Sequence, residues 1–415
     1  MSGWSRHALS ARRDRLGSVM GSCLVLVLTG IALFNLSHIP IGSRLGPAPD
    51  APSYALGAES IMQGEWTRVP FVGERGEDPS VTTPRYPSRY PPGFPATLAA
   101  VASPIGGDLS AVWTASRILV GALLVAVVLL AFLLYDWKAA AIAALVSCTS
   151  PFLQTSMTII MADAFAALIT VIVALLITIR RRVSARDRCR IGIEICLGCV
   201  IALGILTKLS LVLLVIPVIY VIIDRRAVSW RAAFRAVTLV LLPVACGLLL
   251  LGAHQRQSFG DPFETGYAHW VPGIHEFDYS YLSRTDIQGD DPYIYRDRLE
   301  GRFVAWVEQA PTASAESIRS MPSFLIYTAV LAGAYWIYFP PAFSMFGVYW
   351  LFLRRRRREA RAMMIIIIMF PVFFSFYFYE GSRFVAPSAM VLLPIASAGA
   401  ALALDRILFV RLRRR

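Results

Sequence analysis

The chain alternates between long apolar stretches and short arginine-rich segments. The apolar stretches run to roughly 16–25 residues, the length at which an α-helix crosses the hydrocarbon core of a bilayer. In lipid every backbone amide must be satisfied internally, so such stretches read as transmembrane helices. Composition agrees: 56% of the residues are hydrophobic and only 16% are charged, against about a quarter charged in ordinary soluble domains. The expected fold class is an all-α polytopic membrane protein with about ten transmembrane helices. The expected spans are 16–38, 110–134, 138–159, 162–179, 191–207, 209–223, 236–253, 332–353, 362–379 and 384–404.

Charge orients these spans. The chain carries 40 basic and 27 acidic residues, a net charge of +13. Loops rich in arginine and lysine are retained on the cytoplasmic side. With ten spans and both termini inside, the N-terminal segment, Lys138 and the clusters Arg180–Arg190, Arg225–Arg235, Arg354–Arg361 and Arg406–Arg415 all face the cytoplasm. Those segments hold 26 bases against 3 acids, whereas the rest of the chain holds 14 against 24. The expected organisation is a cytoplasmic N-terminus (1–15), a transmembrane module (16–253) with an outer loop at 39–109, a second outer loop (254–331), and C-terminal helices with a basic cytoplasmic tail (332–415). Leu16–His38 follows Arg12, Arg13 and Arg15 without a small-residue cleavage site and is expected to be an uncleaved signal-anchor. Pro91–Ile105 is apolar but holds four prolines in 15 residues. Counting it as a span would place the arginine clusters outside, so it is expected to lie as a helix at the outer membrane surface. Pro311–Ala329 is a second candidate for such a helix.

Several chemistries are excluded by pattern. There is no Walker A sequence, no dinucleotide-binding glycine fingerprint, no nucleophile elbow and no H-E-x-x-H. None of the six cysteines falls in the long polar loops, and Cys196-x-x-Cys199 sits among Ile195, Leu197 and Val200, where small core residues are expected. His254, His269 and His275, assigned to the second outer loop, lack zinc-ligand spacing.

Ionisable residues at membrane depth are costly and therefore mark functional candidates. Arg117, Asp163, Lys208 and the Glu380/Arg383 unit all fall at or near the outer ends of spans, and the first loop adds Asp50, Glu59, Arg85 and Arg89. Asp50 lies in Gly-Pro-Ala-Pro-Asp-Ala-Pro-Ser-Tyr, ahead of a helix carrying Tyr54 and Glu59. Its carboxylate suits either a general base or a helix N-cap. Asp163 suits the positive end of a helix dipole. Arg85 and Arg89 interleave with Tyr86 and Tyr90, and the planar guanidinium matches phosphate. Lys208 interrupts a long apolar stretch, as a snorkelling hairpin apex or as a phosphate contact.

The order of these motifs resembles the GT-C superfamily of membrane glycosyltransferases. More narrowly, it resembles bacterial relatives of the protein O-mannosyltransferases and of the aminoarabinose transferases that modify lipid A. The resemblance rests on the early Asp50 with Tyr54, on Tyr90-Pro91-Pro92-Gly93-Phe94-Pro95, and on Pro151 with Asp163. It also rests on Leu206-Thr207-Lys208, on Gly260-Asp261-Pro262-Phe263-Glu264-Thr265-Gly266-Tyr267 and on Gly381-Ser382-Arg383-Phe384 with Pro387. It implies juxtamembrane helices in the first outer loop and transfer of a sugar from a polyprenyl-phosphate donor to an acceptor hydroxyl at the outer face, with inversion at the anomeric carbon. Asp50 would be the base, Asp163 its acidic support, and Arg85, Arg89, Lys208 and Arg383 the donor-phosphate contacts. Tyr54, Glu59, Tyr90 and Arg117 would support the site. The acceptor would be a glycan, lipid or protein, and the cellular place a bacterial inner membrane; no nucleic-acid partner is implied. A divalent metal stays open, because Ala51 stands where the family often has a second acid. With no large soluble domain after the last span, acceptor recognition is expected in the loops. A cell-envelope polysaccharide polymerase or ligase, or a flippase or transporter of lipid-linked sugars, are the alternatives.

Overall fold

The computed structural model describes residues 3–39, 50–70, 85–88, 90–183, 188–223, 230–263, 338–374 and 382–413. It is a helical bundle with one small β-ribbon. The helices among the described residues are α1 (Gly3–Ser37), α2 (Asp50–Met62), α3 (Gly93–Ala102), α4 (Leu109–Leu134), α5 (Trp137–Cys148), α6 (Pro151–Ser156), α7 (Ala162–Arg182), α8 (Arg188–Thr207), α9 (Val215–Ile222), α10 (Trp230–Phe259), α11 (Pro341–Arg354), α12 (Arg358–Phe374) and α13 (Ala386–Arg413). Strands β1 (Arg68–Pro70) and β2 (Arg85–Pro87) pair antiparallel, with Val69 opposite Tyr86.

Helix starts follow from local chemistry. Asp108 caps α4 by accepting from the Ala111 amide at 2.7 Å, and Asp136 caps α5 by accepting from the amides of Lys138 and Ala139. Ser150 caps α6, with Pro151 at the first helical position, where its missing N–H costs nothing. That Ser-Pro step breaks the expected span 138–159 into α5 and α6. The 12 residues of α5 rise only about 18 Å at 1.5 Å per residue, short of the roughly 30 Å hydrocarbon core.

Six helices among the described residues are long and apolar enough to cross a membrane: Val19–Ser37, Leu109–Leu134, Ala162–Arg182, Arg188–Thr207, Trp230–Phe259 and Ala386–Leu408. The other four expected spans fall on shorter pieces. They are α5 with α6, the 3₁₀ turn Leu209–Leu214 with α9, α11 and α12. Residues 332–337 and 375–379 of two of these spans lie outside the described residues, as do Pro311–Ala329, His269 and His275.

The core runs along α4, α7 and α13; α7 and α13 each bury 83% of their central window, whereas α1 buries 17% and packs at the rim. Helices α8 and α10 approach closely because small residues meet. A side chain on Gly198 would lie 2.5 Å from the Val240 carbonyl oxygen, and one on Gly247 would lie 2.8 Å from Ala202 Cβ. Cys196 and Cys199 are exposed on α8 rather than buried in the core. In a membrane protein the outward face is apolar too, so hydrophobicity does not separate the two faces.

Charges gather at the two ends of the bundle. At one end Lys138 and Tyr135 both engage Asp405, Arg181 pairs with Glu359, and Arg182 donates to the Leu133 carbonyl. Arg180 and Arg190 share Glu194, with Arg180 Nη2 at 2.8 Å from its carboxylate. Arg358 donates to the Ile223 carbonyl and Arg406 to the Tyr349 hydroxyl. These contacts bring Lys138 and arginines of the segments Arg180–Arg190, Arg354–Arg361 and Arg406–Arg415 to a single end.

Candidate active site

The opposite end is built around a helix break. Helix α8 stops at Thr207, and Lys208 adopts an extended backbone (φ −148°, ψ 120°) before the 3₁₀ turn Leu209–Leu214 folds back. The fold-back is tight: a side chain on Gly204 would sit 3.1 Å from Leu211 Cβ. Non-helical backbone at membrane depth is tolerated where it is buried in protein or lines a cavity, and here it does the latter. The cavity measures about 420 Å³, and Lys208 lines it with Tyr54, Ser88, Tyr90, Thr207, Ser210, His254 and Gln255. Phe259, Phe373, Phe374 and Phe384 form much of its apolar wall.

Asp163 opens the first turn of α7 and is 4% exposed. Lys208 Nζ lies 2.5 Å from its Oδ1 and 5.4 Å from the Phe384 ring centroid. Separating such a pair would leave one buried group without its partner, so the contact fixes both side chains beside the cavity. From α7 an aromatic chain runs back to the first loop. Phe165 stacks on Phe94 at 5.5 Å, Phe94 meets Tyr54 edge-on at 5.1 Å, and Tyr54 meets Tyr90 at 4.7 Å.

The Pro-Pro segment forms the expected short helix, α3, continued by a 3₁₀ turn at Ser103–Ile105. It is wedged into the bundle: Phe94, Leu98 and Ala102 are buried, and a side chain on Gly93 would come within 2.6 Å of the Leu206 carbonyl carbon. Glycine is required there because the start of α3 presses on the backbone beside Lys208.

Among the eleven residues singled out in the sequence, Tyr54, Tyr90 and Lys208 line the cavity, and Asp163 backs Lys208. Asp50 is the first residue of α2, one turn before Tyr54. Arg85 begins β2, and Arg383 lies in the 3₁₀ turn Ser382–Val385, next to the cavity residue Phe384. Arg89 and Glu380 lie outside the described residues.

Glu59 and Arg117 do not line this cavity. The Arg117 guanidinium donates to the carbonyls of Ser37 (3.2 Å), Ile39 (2.5 Å) and Met157 (3.1 Å), clamping the end of α1 to the end of α6. Among the described residues no three His, Cys, Asp or Glu side chains group as metal ligands.

Two residues of this end escape sequence reasoning. His254 belongs to the last part of α10 rather than to the second outer loop, and Trp66 reaches it from the turn before β1. The apolar run fades before His254, so a hydropathy boundary places it one turn too early in the loop.

Comparison with known proteins agrees with this architecture. The family model described as dolichyl-phosphate-mannose-protein mannosyltransferase matches residues 89–249, which contain α3, Asp163, Lys208 and most of α10. ArnT from Cupriavidus metallidurans in the apo state superposes with a TM-score of 0.50 at 15% identity, over 93% of this chain and 60% of that one. The same protein bound to undecaprenyl phosphate gives 0.52 at 17% identity, over 92% and 59%. The oligosaccharyltransferase AglB from Archaeoglobus fulgidus, in complex with an inhibitory peptide and a dolichol-phosphate, gives 0.56 at 14% identity, over 93% and 51%.

The chain shares the fold of these solved proteins. It spans about half to three fifths of the length of these GT-C proteins. No curated protein matches it by sequence.

Proposed function

We propose that the protein is a glycosyltransferase that moves a sugar from a polyprenyl-phosphate carrier to an acceptor hydroxyl at the outer face of a bacterial inner membrane, with both termini cytoplasmic. The observation that carries this reading is the Asp163–Lys208 pair at the helix break, set in the wall of a cavity of about 420 Å³. A pocket of that size takes a headgroup, and its phenylalanine wall suits the start of a prenyl chain. The solved GT-C neighbours, bound to undecaprenyl phosphate in one case and to a dolichol-phosphate in another, support the choice of donor class.

In this reading the acceptor oxygen attacks the anomeric carbon as the bond from that carbon to the lipid phosphate breaks. The phosphate leaves with the electron pair, and Asp50 takes the acceptor proton. One displacement inverts the anomeric configuration, unlike the double displacement of retaining glycosidases. Lys208 stabilises charge developing on the leaving phosphate, with Arg85, Arg89 and Arg383 as further cationic contacts. Asp163 holds Lys208 in place. Tyr54 and Tyr90 form the aromatic floor. The acceptor is a glycan, lipid or protein, and a divalent metal is not required by these steps.

The test is transfer from polyprenyl-phosphate sugars by purified protein. Asp50→Asn keeps size and helix-capping ability but has little proton affinity. It is expected to abolish transfer at near-normal protein level, and substantial turnover by this variant would reduce Asp50 to a structural cap.

A further inference from the structure

The cavity holds a histidine that the proposed chemistry does not use. His254 is 6% exposed, lines the cavity with Lys208, and has its Nδ1 2.9 Å from the indole Nε1 of Trp66. An indole N–H only donates, so this contact requires Nδ1 to be the unprotonated, accepting nitrogen. The Ser258 hydroxyl lies 3.5 Å from the same Nδ1 and is able to donate to it as well. A neutral imidazole with Nδ1 as acceptor carries its proton on Nε2. Among the described residues Nε2 has no hydrogen-bond partner.

Trp66 itself sits at φ +58°, a backbone conformation that bulky residues rarely adopt. Such strain persists where surrounding structure enforces it, and it clusters at functional sites. Here the strained turn leads into β1, whose ribbon carries Ser88 and then Tyr90 to the cavity wall. The turn therefore delivers an indole to a histidine 188 residues later in the chain.

We infer that His254 is a further donor-binding residue, held by Trp66 as the neutral Nε2–H tautomer and donating to a phosphate oxygen of the lipid-linked substrate. This inference rests on the donor class proposed above. Phosphate is the acceptor-only group that matches a donor-only nitrogen, and a neutral donor adds a hydrogen bond without a second cation in an apolar cavity. Lys208 supplies the charge and His254 the direction. Trp66 is a positioning residue.

The experiment measures undecaprenyl phosphate binding to the full-length, detergent-purified protein, its His254→Phe, His254→Gln and Trp66→Phe variants, and their melting temperatures. A hydrogen bond to a charged group corresponds to a change of about tenfold or more, so His254→Phe is expected to weaken binding about tenfold. The glutamine, whose amide also donates, is expected to retain part of the affinity. Trp66→Phe keeps the ring packing and frees the tautomer, with an expected loss of about threefold. Nitrogen-15 spectra of the histidines are expected to show one Nε2–H tautomer at His254 in the parent protein and a mixture in Trp66→Phe, a change that a packing role would not produce. If His254→Phe fails to fold, the other two variants carry the comparison. Parental affinity in all folded variants, with lowered melting temperatures only, would leave a loop latch and overturn the assignment. Failure of the parent protein itself to bind undecaprenyl phosphate would overturn the donor class and this inference together.

Discussion

The two ends of the bundle use charge in opposite ways. At the arginine-rich end three acids join different segments: Glu194 takes Arg180 and Arg190, Glu359 takes Arg181, and Asp405 takes Lys138 and Tyr135. At the other end a single described ion pair, Asp163 with Lys208, stands beside a cavity. The first arrangement fills space and ties helices. The second keeps space open and holds a cation at its edge. Burial and pairing alone therefore do not distinguish a staple from a site; what distinguishes them is whether the pair borders a cavity.

The largest effect expected is all-or-none and concerns which end faces the cytoplasm. A membrane-impermeant cysteine label is expected to miss positions 184 and 356 in intact cells and to react at 78 and 290. Labelling at 356 from outside would invert the comparison.

Next in size is the cavity pair. Lys208→Met alone leaves Asp163 buried without a partner and is expected to cost about 3 kcal/mol of stability, as measured by denaturant unfolding, and to abolish transfer. The double variant Asp163→Leu/Lys208→Met is expected to recover most of the stability and none of the activity. Recovered transfer in the double variant would class this pair with the staples.

At the other end Glu194→Gln strands two arginines, one of them 5% exposed. A loss of about 3 kcal/mol is again expected, but with transfer per folded molecule unchanged. A matching loss of turnover would mean that the two ends are coupled.

The smallest effect belongs to Tyr135. Burial, then its hydrogen bond to Asp405, holds its hydroxyl protonated above the usual tyrosine range. A raised pKa contributes stability that is fully present below the ordinary value, near 10, and is lost as pH rises toward the shifted one. Tyr135→Phe is expected to cost about 1 kcal/mol at neutral pH and to remove that alkaline loss. Unfolding midpoints between pH 7 and pH 11 check both.

The sequence carries some of this end openly and hides the rest. Lys208 stands out because a cation interrupts an apolar run, and Asp163 because an acid opens an apolar helix. Both are costly at that depth, and cost is visible in composition. The wedge of Gly93 against Leu206 is not visible, since a tight approach depends on where two backbones meet. Trp66 and His254 are hidden for a similar reason: their contact spans 188 residues and needs a left-handed turn. The outward-facing Cys196 and Cys199 mislead because lipid and core are equally apolar. The break at Ser150-Pro151 has a local signal, a cap followed by proline, but hydropathy averages across it.

Arg117 has a consequence for the order in which the molecule is made. Its guanidinium joins carbonyls that lie 80 and 78 residues before it and 40 residues after it. During synthesis the first helix and its two carbonyls are already waiting when Arg117 emerges, but the third partner arrives only with Met157. Until then the rim helix, which packs little of its own surface, is only partly fastened. The guanidinium thus acts as a timed clasp, closing on the first helix once the chain has grown past the fifth and sixth.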